Sequence, residues 1–134
     1  MSTTVTLTDQ DKSTLRTAAY GAVSLMAAAD AAGKPHKAAT NGSIALFSAT
    51  GSVGHVLAAK SKDIDLNFKS VAELADRVLP ALTAAVNLLA KQDPAEAENF
   101  RSTVLVAVQA TQSHQGAPSP TAAEMIRKIT AALG

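Results

Sequence analysis

Charged residues are missing from four stretches of the chain, Thr17–Ala29, Ala38–Ala59, Val78–Ala90 and Ser102–Ala123, and cluster between them. A helix that crosses a core has an uncharged middle and solvated ends, so this spacing predicts a helical bundle. Apolar residues recur at helical spacing inside these stretches. Leu15, Ala18, Ala22, Leu25, Met26 and Ala29 share one side of a first helix. Val71, Leu74, Val78, Leu82, Ala85, Val86 and Leu89 do so in a later one, where Pro80 lacks an N–H and is expected to kink the helix. Met125, Ile126, Ile129 and Leu133 form the face of a last helix, with Arg127 and Lys128 outside.

Start signals sharpen the boundaries. Thr8 precedes Asp9 and Asp11, acids suited to the positive end of a helix dipole. Pro35 suits a first helical position after the Gly33-Lys34 turn. Ser70 with Glu73, and Thr121 with Glu124, have the spacing of capping boxes. Asp93-Pro94-Ala95-Glu96 combines an N-cap, a proline at the first position and an acid three residues on, the clearest start in the chain. The expected fold is all-α, a compact bundle of five to six helices at 9–30, 35–50, 52–60, 70–91, 94–113 and 121–133.

Two segments are less clear by pattern. Ser102–Val108 (STVLVAV) has strand-like propensity, yet the start at Asp93 and the spacing Phe100, Val104, Val108 favour helix. Ile64, Leu66 and Phe68 alternate with polar residues and read as a connector laid across the bundle, or as an edge pairing with itself across a dimer. Residues 1–7 are expected to be a disordered tail and 8–134 a single helical domain. Within it, 113–120 (SHQGAPSP) is a flexible connector that lets the last helix dock loosely or exchange between protomers.

Composition narrows the function classes. The chain has 134 residues, 12 basic against 11 acidic, with no Cys and no Trp. This balance leaves no electrostatic footprint for nucleic acid or an anionic membrane, and the lack of Cys excludes disulfides, thiol nucleophiles and cysteine-ligated metals. Ala supplies 29 residues, a share that favours helix and close helix contact and hints at a bacterial origin. The first residues, MSTTVTLTDQDK, lack a basic stretch followed by an apolar run, so no secretory signal and a cytoplasmic location are expected. Ala38–Ala59 is long enough to span a bilayer, but its polar and glycine load argues against insertion.

Candidate chemistry is sparse. His36, His55 and His114 sit in different elements and form no metal-binding pair; only His55 lies in an uncharged segment. The glycines of ATGSVGHV (49–56) match neither a Walker loop, which needs a Lys before Ser or Thr, nor a dinucleotide fingerprint. Gly51 reads as breaking one helix and Gly54 as permitting close helix contact, and since a mid-helix glycine costs about 1 kcal/mol against Ala, Gly21 and Gly42 also call for a reason. They mark either a tight helix crossing or, with Phe47 and His55, an apolar slot for a small ligand. No catalytic residues, cofactor or metal are expected. The leading expectation is a non-enzymatic helical protein acting through association, with itself or with a helical partner. A small-ligand-binding bundle and an enzyme of unknown class follow.

Overall fold

The computed structural model describes residues 7–29, 44–46, 54, 56–57, 70–111 and 120–134. These form four long helices, α1 (Asp9–Ala29), α2 (Val71–Gln92), α3 (Pro94–Ala110) and α4 (Pro120–Leu133). Ile44–Leu46, Gly54, Val56 and Leu57 are helical as well, and no strand occurs among the described residues. The all-α bundle expected from the charge pattern is therefore the fold. Of the expected helices at 35–50 and 52–60, only those few residues are described, and the 64–68 connector lies outside them. None of the described helices is long and apolar enough to cross a membrane.

Local chemistry explains where the helices begin. At α1, the Thr8 hydroxyl accepts from the Asp11 N–H at 3.0 Å while the Asp11 carboxylate accepts from the Thr8 N–H at 3.1 Å. This reciprocal box satisfies two donors that a helix start leaves without partners. Ser70 caps α2 by accepting from the Glu73 N–H at 3.1 Å, as the sequence predicts. Asp93 serves two helices. Its N–H donates to the Leu89 carbonyl at 2.7 Å, closing α2, while its carboxylate accepts from the Ala95 N–H at 3.0 Å, opening α3. Extended backbone at Asp93 then forces a sharp reversal with no loop between the two helices.

Several expected boundaries change. α4 begins at Pro120, so Thr121 lies inside the helix and is not its N-cap. Proline is favoured at a first helical position because its missing N–H would go unused there. That preference moves the start ahead of the T-x-x-E spacing and takes Pro120 out of the 113–120 connector. α3 stops at Ala110, short of residue 113. There the Thr111 hydroxyl donates to the Val108 carbonyl at 2.5 Å, and its N–H is shared between the Ala107 and Val108 carbonyls, a pairing typical of a final turn. Ser102–Val108 is helical, as its start signal implied. α2 runs unbroken through Pro80, which sits on its exposed side.

The core has a centre rather than two layers. From Leu15 onward α1 is buried on nearly every side, through Leu15, Ala18, Ala19, Gly21, Ala22, Val23, Leu25 and Met26. A single apolar stripe, the expectation for this helix, understates it: the buried set spans most of the turn and leaves only the face of Thr17, Tyr20, Ser24 and Ala28 open. A helix buried over most of its circumference has little room for charge, which is what Thr17–Ala29 provides. Around it pack Leu74, Val78 and Leu82 of α2, Phe100 and Val104 of α3, and Ile129 and Leu133 of α4. Leu46, Val56 and Leu57 join the same cluster. Burying each of these large side chains stabilises the fold by about 1.5–3 kcal/mol.

Candidate functional site

The six residues expected to form a slot or a crossing are Gly21, Gly42, Phe47, Gly51, Gly54 and His55. Of these, Gly42, Phe47, Gly51 and His55 lie outside the described residues, as do His36 and His114. Gly21 and Gly54 are both buried. Gly21 faces α2, where a Cβ would lie 3.0 Å from Cγ1 of Val78 and closer still to Cγ2. The approach to Cγ2 is too short for a real Cβ contact, so Gly21 lies at a close approach of α1 to α2.

The face of α1 turned toward Val56 and Leu57 carries two polar side chains that the sequence pattern did not single out. Arg16 is only 7% exposed, and its Nε donates to the Val56 carbonyl at 3.1 Å. One turn on, the Tyr20 hydroxyl donates to the Leu57 carbonyl at 2.6 Å. Spacing of four residues on α1 matches two successive carbonyls of the neighbouring segment. The pair therefore ties Val56 and Leu57 to the central helix through their backbone, beside the fully buried Leu57 side chain. Burial pushes the Tyr20 hydroxyl above its ordinary value of 10.0, and the Arg16 charge draws it partly back. Tyr20 is thus a neutral donor at physiological pH, poorly suited to act as a base.

A second seam follows the same logic at the end of α4. The Thr83 hydroxyl of α2 donates to the Ala132 carbonyl at 2.8 Å, and Nε of Arg101 on α3 donates to the Leu133 carbonyl at 3.0 Å. Gly134, at φ 94°, turns its N–H back to the Ala131 carbonyl at 3.2 Å. Three successive carbonyls that a helix end leaves open are satisfied from three directions. Arg101 also places positive charge at the negative end of the α4 dipole, held in position by Glu98 at 2.6 Å. These contacts dock the C-terminal end of α4 against both neighbouring helices.

Among the described residues, no three His, Asp or Glu side chains stand close enough to hold a metal ion. A shallow groove between α1 and α2 is lined by Gln10, Ser13, Thr14, Thr17, Arg77 and Pro80 among others, none of them buried. Of the buried polar side chains, Arg16 reaches across to another segment, whereas Thr103 and Thr111 donate to carbonyls of their own helix, and Tyr20, Thr83 and Arg101 supply further bonds between elements. The partners of Arg16, Tyr20, Thr83 and Arg101 are backbone carbonyls 32 to 49 residues away. No protein-family profile, curated protein or solved structure matches the chain.

Proposed function

We propose that the protein acts without catalysis, as a helical module that associates with a second copy of itself. One observation carries this reading: the outer faces of α2 and α3 hold no charge over long runs. On α2 the exposed residues from Pro80 to Ala90 are Pro80, Thr83, Ala84, Asn87 and Ala90. On α3 Ser102, Val106 and Gln109 face outward, and Val106 is 56% exposed. Solvated helix faces usually intersperse both signs of charge, whereas the centres of interfaces are depleted of it. A two-fold pair brings each patch against its own copy, and an uncharged patch meets no like charge there. For that reason a second copy is favoured over a charged partner.

Amide chemical shifts followed on dilution test this assignment. Concentration-dependent changes are expected at Ser102–Ala110 and Pro80–Ala90. Spectra that stay constant across dilution, or changes confined to other helices, would overturn it.

A further inference from the structure

We draw no further inference here: the strongest candidate, the open groove between α1 and α2 lined by Gln10, Ser13, Thr17 and Arg77, has no buried polar side chain aimed into it and nothing in the structure shows what covers it.

Discussion

Val78 of α2 fills the space that a side chain on Gly21 of α1 would need. Replacing Gly21 by Ala adds about 1 kcal/mol of helix propensity but drives a methyl into a β-branched side chain with little χ1 freedom. Overpacking of this kind costs about 1–3 kcal/mol, so the clash wins and Gly21→Ala is expected to lower stability. Val78→Ala also destabilises, by removing a fully buried side chain. In the double variant the new methyl occupies the space that Val78 leaves. Urea denaturation should then show the double variant more stable than the sum of the single losses, by about 0.5–3 kcal/mol. Strict additivity would mean that the two residues do not meet.

Tyr20 offers a second test, because it is the only tyrosine in a chain without tryptophan. Near-ultraviolet absorbance therefore reports its ionisation alone. The folded protein should titrate above 10.0, since burial disfavours the phenolate more than Arg16 favours it. The sign for stability follows from linkage. A raised folded value gives stability that is fully present below the unfolded pKa and lost as pH rises through the folded one. Tyr20→Phe, which removes the hydrogen bond to Leu57, should cost about 1 kcal/mol at neutral pH. Its disadvantage should shrink as the pH climbs above 10. A constant gap between the two proteins over that range would contradict the hydrogen-bonded, neutral hydroxyl.

How far the sequence foretold this arrangement depends on the range of the interaction. Asp93 and Ser70 were legible because a cap is read by N–H groups two or three residues away. Gly21 was legible as an anomaly, an expensive residue in mid-helix, though only the structure identifies Val78 as the reason. Arg16 was not legible at all. A lone arginine near a helix start reads as solvated, and its carbonyl partner lies 40 residues along the chain. Thr83 and Arg101 were hidden in the same way, because any backbone carbonyl can serve as acceptor and none has a sequence signature. Thr121 misled because the T-x-x-E spacing competes with the preference of Pro120 for a first position. Most of the expected slot lies at residues whose geometry is not described, so Gly21 and Gly54 alone bear on it.

Asp93 should be sensitive to the loss of its acceptor oxygen and indifferent to the loss of its charge. It accepts from Ala95 through an oxygen that asparagine also provides. Asp93→Ala is expected to cost about 1 kcal/mol, while Asp93→Asn stays within a few tenths of wild type. Thermal or urea unfolding of the two variants separates these outcomes. Equal losses in both would show that the charge at the α3 dipole, and not the cap, is what matters.

Caps at the end of α4 predict how that helix opens. Thr83→Val and Arg101→Met each remove one hydrogen bond to its last carbonyls, and each should cost about 1 kcal/mol. Native-state amide exchange should show α4 losing protection before α1 in both variants. Protection falling equally in every helix would mean that α4 has no separate opening, and unaltered protection would mean that the caps do not hold it.

The central claim is self-association through uncharged helix faces, and sedimentation of the wild type and Val106→Lys over a concentration series tests it most directly. Val106 is exposed, so the lysine should leave helix content and stability within about 0.5 kcal/mol of wild type. Its charge would face its own copy across a two-fold pair. Wild-type mass is expected to rise toward twice that of the 13.6 kDa chain with concentration, while the lysine variant remains a monomer. A wild type that sediments as a monomer throughout, or a variant that dimerises equally well, would contradict it.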